Sequence, residues 1–282
     1  MKKRYKLLIA IFCIIGGLFV ADYLVFSINL RTTDLENPPR FCTSDFIELY
    51  KIEKISKFRS FIGHDYSDSF ESERSMKHYF DPKIEYKDEP HEIKLFSPVD
   101  GKIEYIANEQ VRGKQIGIRV KDHQDFIVII FHVDPLENIS EGLAVNSGDF
   151  IGYAFVDINS NTDIAIRRDL GLFHYLFFSS RYKLYSYFQV MTNSVFSEYQ
   201  KCGIESREEM IIPKEVADQR TPNWNGYPED WVYLNHSEEN RALNFELNDL
   251  DIPKNIYNKY FHFFMLDICL LTTFKKYGKI IK

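Results

Sequence analysis

The feature that most constrains this chain lies between Phe96 and Ala154, where short β-branched and aromatic runs alternate with turn dipeptides. Ser97-Pro98-Val99-Asp100-Gly101-Lys102-Ile103 opens the stretch, and Ile129-Ile130-Phe131-His132-Val133 crosses it. Glu141-Gly142-Leu143-Ala144-Val145-Asn146-Ser147-Gly148-Asp149-Phe150-Ile151-Gly152 closes it. Asp-Gly, Arg-Gly and Ser-Gly pairs at such spacing read as tight turns between consecutive strands. Strands are expected at 116–121, 126–132 and 162–166. The chain is therefore expected to be mainly β.

The N-terminus adds a second signal. Lys2, Lys3, Arg4 and Lys6 precede an apolar run over 7–21, which resumes after Asp22 and continues to Leu30. About twenty apolar residues suffice for a helix to span a bilayer, and the basic flank holds the N-terminus in the cytoplasm. The expectation is a single-pass transmembrane helix in the inner or cytoplasmic membrane, with the rest extracytoplasmic, either periplasmic or extracellular. A signal peptide cleaved after Phe19-Val20-Ala21 is the alternative. The chain then divides into an anchor (1–30), a stalk (31–56) with a short helix at 44–55, a β domain (57–170) and a helical C-terminal region (171–282). In that last region Leu184, Tyr187, Phe188, Met191, Val195 and Tyr199 recur at helical spacing. The apolar tail at 256–274, followed by lysines, either packs on the domain or lies on a membrane surface.

Several function classes are excluded. A formal net charge of −6 leaves no basic face for nucleic acid. No P-loop, dinucleotide fingerprint or nucleophile elbow occurs. Cys13, Cys42, Cys202 and Cys269 lack the paired spacing of a zinc ribbon. Cys42 and Cys202 either form a disulfide in an oxidising compartment or remain separate thiols.

The Ser97–Ile103 segment, Phe131-His132-Val133 and the Gly-x-x-Val-x-x-Gly-Asp-x-Ile-Gly series together resemble the lysostaphin/LytM-type zinc endopeptidases, over about 59–167. Biotinyl and lipoyl carrier domains use similar turns but need a Met-Lys-Met-like hairpin tip, which is absent. The resemblance implies a β-sandwich of the LytM peptidase-like type that cleaves cell-wall peptides with zinc held by an H-x-x-x-D segment and an H-x-H strand. It places Asp65 at the aspartate ligand position and His132 at a catalytic histidine. It also places Phe61 where the first histidine ligand belongs, and Asp163 and Ala165 where H-x-H belongs. Phenylalanine and alanine cannot ligate, so ordinary zinc hydrolysis is not expected and no resident cofactor is implied. Zinc enters only if His64, Asp65, His78 and Asp163 rebuild an atypical site around His132. Three readings follow: a pseudoenzyme binding cell-wall peptide, glycan or an envelope protein through the old groove; an atypical metal-dependent hydrolase; or a structural scaffold of an envelope complex.

Overall fold

The computed structural model describes residues 2–32, 35–87, 90–109, 113–155, 161–170 and 182–236. The chain forms two compact units, 1–236 and 237–282. The second, which contains the apolar tail, lies outside the described residues.

The turn series folds as its dipeptides dictate. Strand β4 (Gly101–Asn108) pairs with β5 (Lys114–Val120), and β5 with β6 (Phe126–Pro135). Short β7 (Ala144–Val145) closes one edge beside β4. The Gly148-Asp149 turn docks on Ser97, whose carbonyl accepts from the Gly148 amide at 2.7 Å, while the Ser147 amide reaches Asp100 Oδ1 at 2.8 Å. Beyond β6 the sheet continues through β9 (Thr162–Asp169), β2 (His78–Pro82) and β1 (Ile52–Ser56) to β11 (Trp231–Tyr233). Strands β3 (Lys94–Phe96), β8 (Phe150–Ala154) and β10 (Tyr182–Tyr185) branch from this path, β8 pairing with both β3 and β6, and β10 with β9. Every one of these pairings is antiparallel. The mainly β architecture expected from sequence is present as one branched, hydrogen-bonded antiparallel sheet.

Alternation along β6 sorts the two faces. Val128 and Ile130 join Phe80, Ile116, Ile118, Ile164 and Ile166 in the main core. Ile127, Ile129 and Phe131 join Ala165 on the opposite face, covered by Tyr66 and Tyr105. Both faces of the central strand are covered, which is why 126–131 reads as an unbroken apolar run. The main core is capped by two short helices, α2 (Tyr187–Val190) and α3 (Asn193–Lys201), and by Phe41 and Phe46 from the segment before β1.

Several expectations are corrected. The continuous helix expected from Leu184 to Tyr199 is a strand and two helices. Tyr182–Tyr185 pair with β9, putting Leu184 opposite Arg167 and Tyr185 opposite Ile166. Ser186 then starts α2, its hydroxyl accepting from the Phe188 amide and its own amide donating to Gln189 Oε1 at 3.1 Å. Met191 is extended and bridges to Cys42, which ends that turn. The helical region after 171 is accordingly mixed, with α4 (Lys214–Ala217) and strand β11 following. The helix expected at 44–55 is a single 3-10 turn, Leu49–Lys51, running into β1. Cys42 and Cys202 are free thiols, and burial lifts both above the ordinary thiol range, Cys202 to about 11.

At the N-terminus α1 spans Lys2–Thr32. Its side chains are described at 5–6, 8–21 and 24, and nearly all are exposed, including Leu8, Ile9, Phe12, Ile14 and Leu18. Among the described residues no helix is long and apolar enough to cross a membrane.

Candidate functional site

The second face of the sheet holds the sequence-predicted residues that converge. Phe131 pairs with Asp163, and Asp163 with Tyr79, so these three side chains share that face. Alternation alone would send His132 to the core side. A register shift between Lys114 and Ile116 leaves both Phe131 and His132 opposite Gln115, and His132 takes a left-handed φ of 55°. A bulge with such backbone re-aims the side chain it carries. The imidazole consequently lies between two carboxylates, Nδ1 at 2.5 Å from Glu109 Oε2 and Nε2 at 3.3 Å from Asp163 Oδ1.

Asp163 is fully buried, and its other oxygen meets the Lys77 ammonium. Lys77 precedes β2 by one residue and points to the same face as Tyr79. Its Nζ lies 4.5 Å from the Phe131 ring centre, 4.7 Å from Tyr79 and 5.1 Å from Tyr66. Burial pulls the ammonium toward neutrality, but the Asp163 charge and Tyr79 outweigh it and hold the lysine above its ordinary range. A row of alternating groups results: Glu109, His132, Asp163, Lys77.

The segment between β1 and β2 covers this row. It is pinned by Glu71, which accepts from Arg59 at 2.7 Å and from Arg74 at 2.9 Å, Arg74 also reaching Asp218 at 2.7 Å. Tyr66 stands edge-on to Phe131 with ring centres 5.5 Å apart, and burial raises its phenol above the ordinary range. The floor formed by Ile129 and Ala165 is filled by Tyr66 and Tyr105 rather than open.

The other predicted residues fare differently. His64 Nδ1 lies 3.0 Å from the Asp65 carbonyl, and its Nε2 is 3.3 Å from the Lys77 ammonium. Asp65 is exposed and accepts from the Ser67 hydroxyl at 2.6 Å. Phe61 is buried against Trp224 and Tyr227, and Ala165 lies under the tyrosines.

His78 is corrected outright as a site residue. One step from Tyr79 on β2, it faces the core, with Nδ1 at 2.7 Å from the Ser56 carbonyl and Nε2 at 2.7 Å from Ser186 Oγ. Burial depresses it from 6.5 to about 4. A histidine depressed in the folded state stabilises fully above its unfolded pKa, and that contribution is lost as pH falls from 6.5 through about 4. Its full extent is roughly 3 kcal/mol. Asp45, pushed up to about 7 by burial beside Tyr199 and Tyr187, acts in the opposite direction over the same window. The expected result is therefore a difference: His78→Asn loses acid sensitivity relative to the wild type in urea midpoints at pH 7 and pH 4.5.

Sequence reasoning missed Lys77 and Glu109. Lysine is not a metal-ligand type, and Glu109 reaches His132 only because of the bulge. The residues do not fit the zinc centre that the resemblance implies: Phe61 and Ala165 offer no donor, and the buried Asp163 carboxylate already carries an ammonium. Among the described residues no group of three or more His, Cys, Asp and Glu side chains is placed to hold a metal ion.

No family model matches the chain, and no curated protein is significantly similar to it. Solved structures that resemble it are LytM- and lysostaphin-type peptidases. The catalytic domain of lysostaphin from Staphylococcus simulans is 14% identical over 47% of this chain and 96% of its own, with a TM-score of 0.30. A zinc-containing peptidase from Vibrio cholerae is 14% identical over 45% of this chain and 37% of its own, at 0.33. Helicobacter pylori Csd3 is 13% identical over 70% of this chain and 48% of its own, at 0.37. The match thus spans less than half the length of the Vibrio and Helicobacter proteins, and what the chain shares with all three is its likeness to LytM/lysostaphin-type peptidases.

Proposed function

We propose that this chain is a non-catalytic LytM peptidase-like protein of the cell envelope. It binds cell-wall peptide, glycan or an envelope protein across the second face of the sheet. One observation carries the reading: the fully buried Asp163 carboxylate at the centre is compensated by Lys77. A catalytic zinc needs three protein ligands and an open position for water, and Phe61, Ala165 and the Lys77 ammonium oppose that requirement. The surface over the filled centre carries half-buried Tyr105, Tyr182, Arg119 and Arg167. Tyrosine and arginine are the residue types enriched where proteins recognise one another. Anchoring through α1, with the sheet outside the cytoplasmic membrane, completes the proposal and rests on the basic flank and apolar run of 1–30.

Metal analysis of the purified full chain, paired with digestion of muropeptides, tests it. The expected result is zinc far below one ion per chain, no cleavage, and retention of muropeptides or of an envelope partner. One zinc per chain together with chelator-sensitive cleavage would replace it with the rearranged metallohydrolase.

A further inference from the structure

We propose that the cleft beside the start of α3 binds a monoanionic carboxylate, such as the C-terminus of a short peptide, between Arg40 and Arg207. The Phe41 and Cys42 amides both donate to the Val190 carbonyl, at 2.8 and 3.0 Å, so the chain before them passes the end of α2. Arg40 is carried there on the surface, and its Nη1 donates to Asn193 Oδ1 at 2.7 Å. Arg207 precedes the 3-10 turn Glu208–Met210 and reaches the same amide oxygen from inside, Nη2 to Oδ1 at 3.2 Å. Two guanidiniums thus share one neutral acceptor. Among the described residues no carboxylate lies within 4 Å of either guanidinium.

Arg207 is the residue that points to a ligand. It is 8% exposed, and its guanidinium carbon lies 4.4 Å from the Phe196 ring centre. Its Nη1 donates to the Phe188 carbonyl and its Nη2 to the Thr192 carbonyl, the latter at 3.1 Å. Carbonyls and a ring solvate a guanidinium without neutralising it, whereas a buried charge is ordinarily paired. Burial first, and then the like charge of Arg40, hold Arg207 below its ordinary range. An anion set between the two arginines would offset that repulsion. The cleft has a volume of about 440 Å³, within the range of small-molecule sites. Pro38, Ile211 and Pro213 give it apolar walls, and Glu36 and Glu208 also line it. Glu36 is taken by Lys183 at 2.7 Å. Two guanidiniums then face the single Glu208 carboxylate, a surplus of one positive charge, which suits a carboxylate better than a phosphate dianion. The planar guanidinium fork matches a carboxylate in shape as well as in charge. None of the four residues of the row from Glu109 to Lys77 lines this cleft, so the proposal stands or falls apart from the non-catalytic reading.

The test titrates the full chain with N-acetyl-alanyl-alanine, followed by ligand-observed NMR, with its C-terminal amide, acetate and inorganic phosphate in parallel. The free acid is expected to bind with a Kd of about 1 mM, as suits a ligand of its size. The amide is expected to bind about tenfold more weakly or not at all, because it lacks the charge that strengthens the hydrogen bonds. Arg40→Gln and Arg207→Gln are each expected to weaken the acid about tenfold. Arg40 is exposed, so its variant is read without concern for folding. Asn193→Asp sets a carboxylate between the two arginines and is expected to abolish binding. Acetate that displaces the peptide at equal affinity would assign the cleft to free carboxylic acids, and weaker acetate would assign it to a peptide terminus. Failure of both to bind, an amide that binds as well as the acid, phosphate that binds more tightly, or Arg40→Gln without effect would each overturn the proposal.

Discussion

Asp163→Ala is expected to cost about 3–5 kcal/mol of folding stability, because removing one member of a buried ion pair strands the other. Lys77 would be left 2% exposed with no carboxylate, and three aromatic rings do not replace an anion. His132 would lose its 3.3 Å contact on one side while Glu109 stays on the other. The urea midpoint of the variant measures the effect. The double variant Lys77→Met/Asp163→Leu separates charge from packing: replacing both ions by apolar groups of similar size is expected to recover most of the loss. A single-variant loss below about 1 kcal/mol, the scale of an exposed pair, would mean that solvent already compensates the pair.

Phe188→Ala is expected to be as damaging, at about 3–5 kcal/mol, through the transfer and cavity terms of a large core deletion. Phe188 is fully buried in α2 and meets four rings: His78 and Tyr199 at 5.0 Å, Tyr187 at 6.2 Å and Phe196 at 6.4 Å. It therefore ties the two short helices to β2. Four-residue α2 is too short to persist by its own propensity, so losing this ring is expected to release α2 and α3 together. Hydrogen exchange in α3 would report it. Unchanged protection there in the variant would show that Val195 and Tyr199 hold the helix without Phe188.

Where the sequence was readable, the reason is local chemistry. Asp100-Gly101 and Ser147-Gly148 mark turns whatever lies around them, so β4 to β8 could be placed from neighbours alone. β10 could not, because Tyr182–Tyr185 runs into Ser186 and α2 with the same aromatic and polar types. Only its pairing with β9 distinguishes a strand there. The block Arg74–Phe80 is rich in charged and polar types although it is buried, because its charges lie in pairs, Arg74 on Glu71 and Lys77 on Asp163. Without knowing that 78–82 is a strand, no reader could assign His78 to one face and Lys77 to the other. His132 was identifiable by type, but its aim depends on a one-residue register shift that no residue in 130–133 announces.

The pairing of β1 with β11 has a mechanical consequence. The incoming chain at Ile52 and the outgoing chain at His236 emerge from the same end of one antiparallel pair. There the Leu234 amide donates to the Glu53 carbonyl at 2.8 Å, and His236 Nε2 lies 2.7 Å from the Ile52 carbonyl. Tension between these two points would load the bonds one after another, as in opening a zipper, rather than in parallel shear. Under such a pull β11 would peel away first, while the row from Glu109 to Lys77, two and more strands inward, stayed intact.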